Sequence, residues 1–445
     1  VDAILERSHE LKQALIEFVL EAEGELAQSL EAYAAAQPHR ERQDIAQRDL
    51  IIDTFLTEGK VGDGDKDVLD LFLESQPELS ENDRNLVGSW RCSFIGLFAT
   101  LQVLPDGFEL MNWLTAKRYI VKPNTLLTWQ EMSRFKEGEI LLTRIAPVTE
   151  SVWMFSGPCI PMGRLGKPKL AVAIGNFKEN YNKSLYSDAP ELLELAWQSV
   201  EQYHQDFLGF FGSDEVVMPG YQMNKKIEEF QELLTKKRLA AAGIDENKSL
   251  SEIAAEAGVT EEEMKAAAEE SGADSKAIAQ MFDSKNPTKM VTPKVELPAN
   301  LKKAEQLTAL THPRWGQIFL PTYSRFKAML EAEDWQNNIE NTEKLVRQYL
   351  EDSTINAFIW HRLAETYPAQ MEKLLKTVLQ RPELKIDRDL DALLQEYNKA
   401  LEPDLPEIAS VPVHLHDLFQ EALAEVSKSK SKGKSKKKIG IGFQK

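Results

Sequence analysis

In the stretch DGDKDVLDLFLE, Asp63, Asp65, Asp67 and Glu74 take the first, third, fifth and twelfth positions of a calcium-type loop. Four carboxylates at that spacing are oxygen ligands for a hard cation. The sixth position, where such a loop turns on glycine, is Val68, and the eighth is Asp70 where an apolar residue is wanted. The plainer reading is a turn in which Asp67 caps the next helix. A second group, His414, His416 and Asp417 in HLHD, offers two imidazoles and a carboxylate. In an extended segment alternate residues share a face, so the two rings would converge on a metal if another ligand joined them. Helix capping by Asp417 or an earlier residue is the simpler account. Cys159, in the Gly and Pro loop FSGPCIPMG, is a nucleophile only if the fold brings it a base, and Cys92 reads as core. Neither a glycine-rich phosphate loop nor a serine elbow is present.

Three further stretches could meet a partner. SLSEIAAEAGVTEEEMKAAAEE has the outline of a helix-turn-helix, with Ala254, Gly258 and Met264 at the packing and turn positions. Its second helix would open with Thr260, Glu261, Glu262 and Glu263, three carboxylates where a reader of DNA approaches phosphates. Packing or protein docking is therefore expected of it, and sequence-specific DNA reading is not. THPRWGQIFLPTYSRFKAML interleaves Arg314, Arg325 and Lys327 with Trp315, Tyr323 and Phe326. That mixture suits nucleic acid or an acidic peptide, but core-edge packing is the preferred reading. The end of the chain, KSKSKGKSKKKIGIGFQK, holds eight lysines and no acid. Lys428, Lys430, Lys432, Lys434, Lys436, Lys437 and Lys438 are the candidate polyanion contacts, and Phe443 in IGIGF is a candidate for a protein pocket or added strand.

The rest of the chain makes those lysines conspicuous. Formal net charge is −18 over 445 residues, so without the eight terminal lysines it is −26. Such a body repels phosphate backbones, and polyanion binding needs a local cationic element. Two cysteines are too few for a disulfide framework. The opening VDAILERSHELKQALIEF is charged and does not read as a signal peptide, and no apolar run reaches 18 residues. A cytoplasmic location is expected, as are residues before Val1, which is not methionine.

Helical spacing governs residues 1–95, with Ile4, Leu11, Leu15, Phe18, Leu26, Leu30 and Tyr33 on or near one stripe broken near Gly24. Over 96–180 the period drops to two in five short segments separated by PDG, KPN and KEG turns, which predicts a small antiparallel roll or barrel. A helical segment follows at 181–239. Next come the helix-turn-helix-like unit at 240–284, a proline-bearing linker at 285–300, a helical region at 301–427 and a disordered basic tail at 428–445. The fold class is α+β, mostly helical, with the β module in the N-terminal half.

Residues 48–180 carry a further pattern: the helical lead VLDLFLE before the β module, then Tyr119, Gly138, Arg144 and Pro147 in its strands and turns. This stretch resembles a set of uncharacterised bacterial proteins, mainly cyanobacterial in this form. The resemblance implies a helical lead followed by a small β module. Some relatives end in a cysteine-rich zinc tail similar to that of the protein-export ATPase. Here no cysteine follows Cys159 and no histidine follows His416, so zinc is not carried over.

The function expected from all this is a non-enzymatic interaction or adaptor protein. Its acidic body would dock a protein, and its Lys-rich tail would tether it to a polyanion such as RNA, the ribosome or an anionic membrane. No cofactor is expected. The alternatives are a nucleic-acid-binding regulator using the helix-turn-helix-like unit, and a hydrolase or metal-dependent enzyme whose site is assembled across domains.

Overall fold

The computed structural model describes residues 2–36, 45–62, 66–123, 132, 134–241, 290–332 and 339–436. They fall into two compact units. Among the described residues, the first is built from those of 2–193 and 412–436, the second from those of 194–241 and 290–411.

The first unit opens with α1 (Asp2–Leu20) and α2 (Glu25–Ala36). Gly24 sits between them at φ 68°, a left-handed conformation that glycine adopts without a Cβ penalty, and the expected break falls there. Next come α3 (Ile45–Glu58), α4 (Val68–Ser75) and α5 (Glu81–Ser89). The start of α5 is the one LSENDRNLV suggests: the Ser80 hydroxyl accepts the Asp83 N–H.

The β module is β1 (Phe94–Leu104), β2 (Gly107–Asn112), β3 (Arg118–Lys122), β4 (Ile140–Pro147), β5 (Val152–Phe155) and β6 (Ile160–Gly163). The five expected strands are all present, and they close on themselves. The eleven residues of β1 pair with β4 through Phe94–Ala99 and with β2 through Phe98–Leu104, and the register shifts between Thr100 and Gln102. That irregularity lets one strand bend from one neighbour to the other. The ring runs β1-β2-β3-β5-β4 and back to β1, with β6 added on β4. Two details depart from the sequence expectation: β3 and β5 pair in parallel, and a sixth strand exists. A closed five-stranded barrel in this order has the topology of the OB fold.

Alternation explains the closure. Phe94, Phe98, Phe108, Leu110, Val121, Leu141, Ile145 and Phe155 fill the barrel. At Gly107 a Cβ would come within 2.6 Å of the Val121 carbonyl oxygen, so only glycine lets β2 approach β3 there. The outer residues Ala146, Val148 and Met154 join Leu11, Leu15, Phe55, Phe72 and Trp90 in another core. The segments 1–95 and 96–180 are thus one body rather than two. After the barrel come α6 (Lys167–Asn180) and α7 (Pro190–Phe211), whose first residues still belong to this unit.

The second unit contains the rest of α7, β7 (Glu215–Met218), α8 (Gly220–Ala241), β8 (Met290–Val291), α9 (Ala299–Lys302), β9 (Leu307–His312) and β10 (Gly316–Leu320). It continues with α10 (Tyr323–Glu331), α11 (Ile339–Glu351), α12 (Ala357–Thr366), α13 (Pro368–Leu379) and α14 (Ile386–Glu396). Strand β9 lies between β10 and β7, antiparallel to both, in a region expected to be wholly helical. The core lies under α10 to α14, where Phe326 stacks on Tyr349 at 4.3 Å and both approach Trp360 edge-on. The last helix, α15 (Val413–Lys436), returns to the first unit and packs on α6. The helix-turn-helix-like unit lies outside the described residues.

Candidate functional site

The basic end of the chain is carried by α15, and the helix is anchored before it becomes basic. Leu415, Leu418 and Ala422, spaced three and four apart, are buried on one face. The ring of His414 donates from Nε2 to the Trp113 carbonyl at 2.8 Å, and Glu421 pairs with Lys167 at 2.9 Å. Lys167 is the first residue of α6, so beyond Glu421 the last helix runs past the end of its neighbour. Exposure follows: Ala422 is 5% accessible and Val426, next on that face, 37%. The helix goes on to Lys436. From Glu421 that is about 22 Å at 1.5 Å per residue.

The tail expected from Lys428 thus begins inside the span of this helix. The positions of Lys428, Lys430, Lys432, Lys434 and Lys436 lie within the helix. Lys and Ser are tolerated in helices, and the segment extends one already nucleated by packing, so the nucleation cost is met upstream. Lysines two residues apart occupy positions about 200° apart around a helix, so the basic positions go round it. Lys437, Lys438 and Phe443 lie outside the described residues.

The other candidates separate cleanly. His414 and His416 are in the first turn of α15, not in an extended segment, and a two-residue step puts them on different sides. Burial holds both rings below the ordinary histidine range and pushes the Asp417 carboxyl above its own. Depressed histidines contribute stability that is present above the unfolded value and lost as pH falls through the folded one. Amide exchange over residues 413–422 is accordingly expected to speed up, after correction for intrinsic rates, as pH drops below about 6.5. His414→Gln with His416→Gln should flatten that response. Asp417 opposes it only lower down, in the carboxylate range.

Asp67 caps α4 as expected. Its carboxylate accepts the Asp70 N–H at 2.8 Å in a capping box and pairs with Arg91 at 3.0 Å. Glu74 is held by Lys66 at 2.7 Å. Asp63 and Asp65 lie outside the described residues. Among the described residues no group of three or more His, Cys, Asp or Glu is placed to hold a metal. Cys159 is buried, and burial pushes its thiol up to about 12, so it stays protonated at neutral pH. Cys92 is exposed, contrary to the core reading: it closes a short turn after Trp90, and the tryptophan takes the buried place.

In the Arg and aromatic stretch, Tyr323 and Phe326 are core, Trp315 packs against that core, and Lys327 pairs with Glu215 at 2.7 Å. Packing accounts for these. Arg314 is different: its guanidinium lies 4.0 Å over the Trp197 ring.

Sequence reasoning missed two polar clusters in the first unit. In one, Lys12 from α1 reaches Asp53 of α3 at 2.7 Å and Ser156 at 3.0 Å. Arg144 of β4 lies 3.7 Å from Asp53 and bonds Glu58 at 2.5 Å and the Ser93 carbonyl at 3.2 Å. Lys12, Asp53, Arg144 and Ser156 are all buried. Arg144 is thus a bolt between helices and barrel. In the other, Asp188, just before α7, accepts from Tyr119 at 2.6 Å, Thr115 at 2.8 Å and Asn112 at 3.1 Å. It ties the β2–β3 turn to the helix start.

The surface of β2 and β3, where barrels of this topology hold oligonucleotides, presents Glu109, Met111, Arg118, Ile120 and Lys122. Arg118 pairs with Glu109 at 3.5 Å and Lys122 with Asp106. The charges cancel and no stacking ring stands among those five. Comparison with known proteins yields no matching family model, no matching curated protein and no matching solved structure.

Proposed function

We propose that this chain is a non-enzymatic adaptor that engages a polyanion through the basic end of α15 while its acidic body docks a protein partner. The observation that carries this reading is the course of α15: anchored on α6 through Leu415, Leu418 and Glu421, then continuing as helix beyond the start of α6 to Lys436. A local cationic segment supplies the attraction to a phosphate backbone that the remaining chain, of charge −26, opposes. The self-neutralised β2–β3 surface supports placing the contact on the helix rather than on the barrel. Among the described residues no helix is long and apolar enough to cross a membrane.

Binding of this kind is nearly sequence-independent and driven by counterion release. Eight lysines on duplex phosphates give a log-log salt slope of at most about −7, at roughly −0.9 per contact. Deleting Lys428–Lys445 should abolish the salt-sensitive binding to RNA, ribosomes or anionic vesicles while leaving the unfolding midpoint unchanged. Phe443→Ala should cost only affinity that salt does not modulate. Equal binding by truncated and intact protein to all these partners refutes the reading.

A further inference from the structure

We propose that the β9–β10 turn of the second unit is a histidine latch that acidification opens. The turn is His312-Pro313-Arg314-Trp315-Gly316, and its geometry is set by one lone pair. The Nδ1 atom of His312 accepts the backbone N–H of Arg314 at 3.1 Å and that of Trp315 at 3.2 Å. An imidazole can do this only while Nδ1 is unprotonated; imidazolium has donors and no acceptor. Protonation therefore removes the acceptor of both amides and sets a third N–H against them. The loss is chemical, not a matter of degree.

The turn has little room to re-form another way. Pro313 fixes its own φ, and Gly316 sits at φ 73°, where a Cβ would come within 2.7 Å of the Pro406 side chain. Two surface features depend on it. Arg314 is held 4.0 Å over Trp197 of α7, and Trp315 packs against the core under α10 to α14. Opening the latch releases both.

The surroundings favour the neutral ring at neutral pH. The ring of His312 packs 4.6 Å from Phe358 of α12. The charged and titratable groups facing it are His204 from α7, Arg362 from α12, Arg314 from the turn itself, and Asp214 ahead of β7. Three of the four are cations or become cations. Asp214 is already engaged by Arg362 at 2.6 Å, and Glu215 of β7 is shared between Lys327 at 2.7 Å and Arg362 at 3.4 Å. Burial first, then His204 and Arg362, hold His312 below the ordinary histidine range. A depressed histidine stabilises the closed turn above its unfolded value, and that contribution is lost as pH falls through the folded one.

Amide exchange at Arg314 and Trp315 reads the latch directly, in the full chain. Protection corrected for intrinsic rates is expected to fall at least about tenfold between about pH 7.5 and about pH 5. His312→Gln should remove the pH dependence at these two amides, and His204→Gln should keep it. Unchanged protection in the wild type over that range overturns the proposal, as does a transition that survives His312→Gln and disappears in His204→Gln. If His312→Gln does not fold, ring nitrogen shifts of the wild type decide: a proton on Nδ1 of His312 at about pH 7.5 overturns the latch.

Discussion

Replacing Asp53 with alanine is expected to destabilise the first unit by about 3–5 kcal/mol, the usual cost of removing one partner from a buried ion pair. Asp53 is the only carboxylate within 4 Å of Lys12 Nζ among the described residues, and both side chains are at least 95% buried. With Asp53 gone, the buried Lys12 ammonium keeps the Ser156 hydroxyl and the face of Trp90 at 5.7 Å but no countercharge. Arg144 suffers less, because Glu58 and Ser93 still hold it. The asymmetry supplies the control. Lys12→Met with Asp53→Leu removes both charges and should restore most of the lost stability, since an apolar pair of similar volume often matches a buried salt bridge. Urea midpoints of the three proteins test this. A loss below about 1 kcal/mol for Asp53→Ala would mean that the pair is hydrated and not buried.

The second large effect is expected at Phe155. Its side chain is fully buried inside the barrel, 6.0 Å from Phe108 in an edge-to-face arrangement. Aspartate there would place an unpaired carboxylate among Phe94, Phe98 and Ile145. Burying such a group costs more than a domain's margin of stability allows, so the barrel should lose its cooperative transition altogether. Trp153→Asp should be milder, because Trp153 is only half-buried. A Phe155→Asp protein that unfolds cooperatively at the wild-type midpoint would sink the inward assignment of β5.

The barrel was legible in the sequence because its strands have two unlike faces. Residues such as Phe108, Leu110 and Val121 alternate with Glu109, Ile120 and Lys122, and that period of two survives in the primary structure. Strand β9 gave no such signal, being buried at five consecutive positions from Leu307 to Thr311, a run that periodicity cannot tell from a helix. Strand β6 was hidden by Pro161 and its length of four residues. Asp67 and Ser80 were readable as caps because capping is local. The Lys12, Asp53 and Ser156 cluster was not, since its bonds join residues 103 and 144 positions apart, and no local pattern announces a contact of that span. The course of α15 lay between these cases. Its helical character was expected, but how much of it is covered depends on α6, far away in the sequence.

The bond from His414 to the Trp113 carbonyl joins residues 301 positions apart. During synthesis, at about 5–20 residues per second, Trp113 therefore leaves the ribosome about 15 to 60 s before its partner does. Through that interval the nascent barrel exists without its closing helix, and the face of α6 that α15 covers has no intramolecular occupant. Residues 194–241 and 290–411, which come between, can complete their own unit meanwhile. The chain thus begins one unit, finishes another, and only then returns to the first, so the first unit is the stage of biogenesis most exposed to chaperone capture and to premature aggregation.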